Sequence, residues 1–333
     1  MQKNRRIAGL IPIILFVLFV IATLCDQTRA QEQCSQILPL RSGSKWGYAD
    51  TRGSVVITPQ FELAAYFTEG RAIVHSVDGV GIIDKHAHWV LPAAHGRQIL
   101  PSTDERFLVK ERGRAYFVDL KGKPVTPDFE DAAQFGDGLA PVKLGGKWGF
   151  IDRQGKWVID RKYDEASSFS DGLATVVING KEFVIDRTGN VQFEVDSKIA
   201  IQDFSEGFAR FWTLTNEKYG YLNKKGRPVV APRFRNGRPF SNGRAAVFTD
   251  SGWGFIDSTG SMAIRPFFLD TGDFHGGLAA VKDINGKWGY IDKTGKMVIK
   301  ADFEQAFDFN CGIAKVEDGG HSRYINMTGE YLF

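Results

Sequence analysis

The chain has 333 residues, 43% of them apolar, with 42 Lys and Arg against 39 Asp and Glu. Residues 1–30 hold Lys3, Arg5, Arg6 and Arg29 against Asp26, so 38 basic and 38 acidic side chains follow them, a balance without the basic surplus that a nucleic-acid binder needs. Only Cys34 and Cys311 lie beyond the leader, which excludes a disulfide scaffold and leaves stability to apolar burial.

The amino terminus begins Met1-Gln2-Lys3-Asn4-Arg5-Arg6 and then runs uncharged from Ile7 to Cys25, the basic and apolar regions of an export signal. As a helix the apolar run would reach roughly 28 Å, close to the thickness of a bilayer core. Thr28-Arg29-Ala30 is an acceptable cleavage site. Residues 1–30 are therefore expected to be a signal peptide or, uncut, a membrane anchor through residues 7–25. Leu24 stands where a lipoprotein signal needs a small residue before Cys25, which argues against lipidation. In either form the remainder is exported, to the periplasm, the cell envelope or the medium.

A short linker over 31–37 leads into a phrase that fills 38–333. It reads Trp46-Gly47-Tyr48-Ala49-Asp50, Trp148-Gly149-Phe150-Ile151-Asp152, Trp253-Gly254-Phe255-Ile256-Asp257 and Trp288-Gly289-Tyr290-Ile291-Asp292, with weaker copies ending at Asp84, Asp119, Asp186, Asn223 and Asn326. Successive copies are 33 to 37 residues apart, so one supersecondary unit is repeated nine times, each burying its apolar face against its neighbours.

Within a unit such as 138–169, Gly138 to Lys143, Lys147 to Asp152 and Trp157 to Ile159 are short β-branched and aromatic runs separated by glycine turns. Such runs predict a three-stranded meander. A helical repeat of similar period is excluded, because 37 glycines would cost its helices about 1 kcal/mol apiece. Asp or Asn opens each turn, capping the backbone two residues on, and glycine in the fourth place accepts a left-handed conformation. Ala87 is the exception. Residues one and two before the turn are apolar in every copy, so both faces of that strand are at least partly buried. Half a period on stands Phe-x-x-Gly-x-Ala, as in Phe169-Ser170-Asp171-Gly172-Leu173-Ala174, preceded by a second aromatic at steps of three (Phe61, Ala64, Phe67). That spacing suits a single helical turn or an irregular connector.

These residues closely resemble the WG-repeat (KWG) family of bacterial envelope and secreted proteins. Lys-Trp-Gly-aromatic-Ile-Asp-x-x-Gly is matched in full at 147–155 and 287–295. The resemblance covers Leu38 to Phe333 and implies an all-β repeat array with a binding or structural role and no activity. Departures concentrate in the copies ending at Asp84, Asp119 and Asp186, where Val80, Ala115 and Glu182 replace tryptophan, the places where order is weakest or specificity was built.

Several residues stand out against this background. The turn carboxylates are too dispersed for calcium, which needs six to eight converging oxygens. His86 and His88, with His95 nearby, are candidate metal ligands, because imidazoles two apart on a strand edge share a face. Trp89, Trp157 and Trp212 lie off the repeat position and are candidate ligand platforms, whereas Trp46, Trp148, Trp253 and Trp288 are expected to pack. Paired carboxylates recur with the repeat and no nucleophile accompanies the histidines, so no catalytic residue, enzymatic activity or cofactor is expected.

The expected fold is all-β: tandem units of about 34 residues in an open, twisted, solenoid-like array, with a closed propeller-like ring as the alternative. Both termini fall at one phase of the repeat, leaving no spare strand to latch the first unit onto the last. The cysteines discriminate: a Cys34–Cys311 bridge requires Cα atoms within about 7 Å, which an open stack forbids. The expected function is a non-catalytic binding or scaffolding protein of the bacterial cell envelope, with a protein or glycan partner. A purely structural spacer and a hydrolase of envelope polymers are the alternatives.

Overall fold

Nine small antiparallel sheets follow one another along the chain, each built from one repeat. A computed structural model describes residues 37–101 and 104–333; the leader, its apolar stretch 7–25, most of the 31–37 linker and Cys34 lie outside them. No helix among the described residues is long and apolar enough to cross a membrane. Blade four typifies the unit, with strands Asp131–Ala132, Leu139–Leu144, Lys147–Asp152 and Trp157–Tyr163 hydrogen-bonded in sequence order. Six sheets have four strands and three have three among the described residues.

The three-stranded expectation thus needs correcting. The segment with aromatics at steps of three is neither helical turn nor irregular connector; it carries a short innermost strand, only Leu63–Ala64 in blade two and Gln305–Ala306 in blade nine. Two residues are too few to show a period, and in blades six, seven and eight, where the strand runs Ile199–Ser205, Asn236–Ser241 and Asp270–His275, a register shift interrupts the alternation.

The turns are built as the residue types dictate. Asp152 Oδ1 accepts the N–H groups of Gln154 and Lys156, both at 2.9 Å, and Asn223 Oδ1 does the same for Lys225 and Arg227. Gly155 sits at φ +80°, and Ala87 holds the same left-handed place at φ +64°. The glycine after the repeat tryptophan has a different cause. A Cβ on Gly149 would fall 2.7 Å from the backbone of Arg161 and Ile159, because the outermost strand closes over it where the register shifts between Trp148 and Phe150. Blades three, five and nine carry Tyr116, Phe183 and Arg323 at that place. Their outermost strands are correspondingly reduced, to isolated bridges in blades three and nine and to Val191–Glu194 in blade five.

Eight apolar clusters hold the blades together, each spanning two consecutive blades. Leu108, Phe117 and Phe129 of blade three pack with Phe135, Val142 and Ile151 of blade four, and Tyr290, Ile299 and Phe303 of blade eight with Phe309, Val316 and Ile325 of blade nine. Burying such a side chain fully contributes about 1.5–3 kcal/mol. The third-strand position two before the turn is wholly buried in Tyr48, Phe150, Tyr221, Phe255 and Tyr290.

The array is closed. Tyr324 of blade nine donates its hydroxyl to Pro39 O of blade one at 2.9 Å, and its ring lies 6.4 Å from that of Tyr66. Phe333 packs on Gly53 as Val230 packs on Gly260 and Ile264 on Gly295, so the ninth joint repeats the geometry of the others. Cys311 is disulfide-bonded, and the chain's other cysteines, Cys25 and Cys34, precede the described residues. The structure is a nine-bladed β-propeller ring, which corrects the open array. Successive sheets meet through side chains, face to face at about 10 Å, rather than through edge-to-edge hydrogen bonds at about 5 Å. Twisted sheets stacked this way turn progressively, and nine of them return to the start. Among the described residues no strand is exchanged: Pro39 O accepts the Tyr324 hydroxyl, where its counterparts Ile73 O and Pro141 O accept the N–H groups of Ala65 and Ala133.

Candidate functional site: the hairpin face

A meander places alternate connections at opposite ends of its sheet, so the ring has two unlike faces. One carries the Asp-x-x-Gly turns and the Phe-x-x-Gly loops; the other carries the hairpin tips between second and third strands.

The turn face is polar and largely satisfied by its own chain. A groove of about 710 Å³ crosses blades three to five, lined by Asp104, Asp137, Arg153, Asp171 and Arg187 among others. Its carboxylates stitch neighbouring blades: Asp104 Oδ2 accepts Gly138 N–H at 3.0 Å, and Asp137 Oδ2 accepts Gly172 N–H at 2.6 Å. Glu206 and Asn242 do the same for Gly243 and Gly277.

The hairpin face differs. In blade six the Trp212 and Tyr219 rings stand 5.9 Å apart, with the Arg210 guanidinium 5.3 Å over Tyr219. Blade seven repeats the arrangement: Phe248 lies 5.3 Å from Trp253, and Arg238 covers Trp253 at 5.5 Å. Arg210 also bonds Gly237 O across the blade boundary, which fixes the ladder. Around it the tips expose Leu214 (56%) and Ile284 (74%), and the link into blade eight exposes Leu269. In blade five Glu182 takes the tryptophan's place; burial above all, and then the Glu165 carboxylate, push its pKa above the ordinary carboxylate range. Exposed aliphatics beside aromatic rings capped by guanidinium groups suit an apolar or acidic polymer segment.

The residues singled out from sequence are scattered over this body. Trp46, Trp148, Trp253 and Trp288 pack against inter-blade clusters. Trp89 and Trp157 are equivalent, each opening an outermost strand and lying over the repeat glycine, Gly81 or Gly149. Each meets a phenylalanine of the preceding blade edge-on, Phe61 at 6.2 Å and Phe129 at 6.3 Å. They fill the rim, and only Trp212 belongs to the hairpin face, so the three do not share a surface. His86 and His88 share one turn, their rings 6.1 Å apart and His88 Nδ1 3.2 Å from Asp84 Oδ2. His95 follows the far end of strand Trp89–Ala94, roughly 20 Å along it at strand rise, so the structure brings together two of the three. Arg210, Phe248 and Arg238 were missed in the sequence. Their signal was an aromatic facing the repeat aromatic across a hairpin, readable only once strand register is known.

No curated protein matches the chain. The fold is similar to a structure described as the crystal structure of the eukaryotic initiation factor, at 12% identity over 90% of this chain and 96% of that one, with a TM-score of 0.63. BamB from Moraxella catarrhalis (13% identity, 76% and 96% covered, TM-score 0.43) and the C-terminal WD40 domain of Sif2 (10%, 86% and 96%, TM-score 0.42) resemble it more loosely. The first likeness concerns the fold alone. The family model described as WG containing repeat matches at residues 46–75, 117–148, 148–181, 219–251, 253–288 and 288–320, more than half of the chain. With the tandem blades just described, that match places the protein: the chain belongs to the family of WG-containing repeat proteins.

Proposed function

We propose that the ring is a non-catalytic binding and scaffolding protein of the bacterial cell envelope, which takes a protein partner across the hairpin face of blades six to eight. The observation that carries this reading is the ladder of Trp212, Tyr219, Phe248 and Trp253 under Arg210 and Arg238, beside aliphatic tips that face solvent. Aromatic and arginine side chains dominate the energetics of protein interfaces. A bonded Cys311 suits an oxidising compartment, in keeping with the export signal.

The test is in-cell crosslinking with tagged full-length chain, comparing wild type with Leu214→Asp combined with Ile284→Asp. The expectation is a specific partner that the double variant loses by tenfold or more, the equivalent of about 1.4 kcal/mol. Equal crosslinking by both chains would remove the hairpin face from the argument. A glycan array run with the same pair distinguishes a carbohydrate partner.

A further inference from the structure

One cluster breaks the symmetry of the innermost strands. In blades five, six and seven the residue after the Phe of the Phe-x-x-Gly loop is Ser170, Ser205 or Ser241, and each hydroxyl donates to a carbonyl of the next blade, Phe204 O, Phe240 O or Phe274 O, at 2.6–2.7 Å. Blade eight carries His275 there instead. Its Nε2 lies 3.7 Å from Asp308 Oδ2 of blade nine. Asp273, two residues earlier on the same strand, completes a group whose ligand atoms all lie within 4.8 Å of one another.

The group has features that stitching alone does not explain. Asp273 Oδ1 is buried and has no hydrogen-bond partner, a costly state for a carboxylate oxygen. The Asp308 carboxylate is fixed in place: the Asp273 backbone N–H bonds it, and it lies so close over Gly272 that any side chain there would collide with its Oδ1. Burial pushes the pKa of both carboxyls upward, while Arg238 and His275 work in the opposite direction on each. Arg238 also faces Asp270, 3.9 Å away, so one guanidinium answers three carboxylates. Arg210, a further cation acting on Asp273, is bound to Gly237 O and Gln202.

We propose that Asp273, His275 and Asp308 bind a divalent transition-metal ion, Zn²⁺ fitting best, which bridges blades eight and nine. One imidazole nitrogen and two carboxylate oxygens with an open position match the zinc donor set, whereas calcium requires an all-oxygen shell of six or more ligands. Tetrahedral donors at 2.0–2.2 Å from zinc stand roughly 3.4 Å apart, so the longest edge of the group must contract by little more than an ångström. An ion held from two blades binds the closed ring better than the unfolded chain and raises its melting temperature.

The experiment uses the full chain, stripped with chelator and titrated calorimetrically with Zn²⁺, Mn²⁺ and Ca²⁺, with melting followed in parallel. The expected result is one equivalent of Zn²⁺, weaker Mn²⁺, negligible Ca²⁺ and a zinc-dependent rise in melting temperature. His275→Ser restores the residue type of blades five to seven and is expected to keep the metal-free melt while losing at least tenfold in zinc affinity; Asp308→Asn should lose as much. The double variant His86→Ala, His88→Ala should bind as wild type does. Binding that survives His275→Ser, or vanishes with the His86/His88 variant, overturns the proposal, as does the absence of any Zn²⁺ binding.

Discussion

Each Asp-x-x-Gly turn is settled within five residues, because the first side chain caps N–H groups two and four positions on. That locality is why the turns could be read from sequence. Ala87 is the one non-glycine in the fourth position and is held at φ +64°, a conformation that costs a side-chain-bearing residue about 1 kcal/mol. Ala87→Gly should therefore stabilise the protein by about 0.5–1 kcal/mol, measured by urea unfolding. The turn carboxylates also make a pH prediction. The Thr259 hydroxyl above all, with the backbone N–H groups of Thr259 and Ser261, outweighs slight burial and holds Asp257 below its ordinary 3.8; the Thr294 hydroxyl leads in the same way for Asp292. A folded pKa below the unfolded one means stability that is present above pH 3.8 and is lost as pH falls through the folded value. Asn326 makes the same bonds with an amide. Melting temperature plotted from pH 6 to pH 3 should accordingly fall less steeply for Asp257→Asn combined with Asp292→Asn than for wild type.

Between elements, the repeat glycine decides how far the outermost strand can travel. A Cβ on Gly254 would lie 2.6 Å from Ile264 O and 2.8 Å from Pro266 N, so Gly254→Ala is expected to cost about 1–3 kcal/mol. The same change in blade one, Gly47→Ala, meets Pro59 and Ile57 and should cost as much; unchanged melting in either variant would refute the close-approach argument. The sequence made the tryptophan conspicuous, yet the glycine beside it has the stricter requirement. Trp89 and Trp157 looked exceptional because their position, the first of the outermost strand, is filled by Val55, Val191 or Met262 in other blades. The short innermost strands stayed hidden for a related reason. Their pairing is set by the second strand of the same blade, and neither a two-residue segment nor a longer one broken by a register shift shows an alternation of its own.

At the scale of the ring, sequence gave the number of units but not their closure. Two apolar faces per strand are evident in the sequence, and they imply face-to-face packing, which closes the ring without the latching strand whose absence predicts an open array. Among the described residues the ninth joint depends instead on Tyr324 and Phe333. Tyr324→Phe removes one hydrogen bond and should cost about 1 kcal/mol. Cys311→Ser should cost about 2–4 kcal/mol, and reduction of wild type should reproduce that loss. If Tyr324→Phe leaves the unfolding midpoint unchanged, that hydrogen bond contributes nothing to the seam. The hairpin-face ladder was invisible for the same topological reason: Arg210 and Arg238 come from different strand positions in adjacent blades, and only the ring aligns them.

Because no strand is shared across the seam among the described residues, the polypeptide's starting point is arbitrary with respect to the architecture. A circularly permuted gene that begins at any other blade boundary, with the old ends joined by a flexible linker, would rebuild the same molecule and merely relocate the one discontinuous joint.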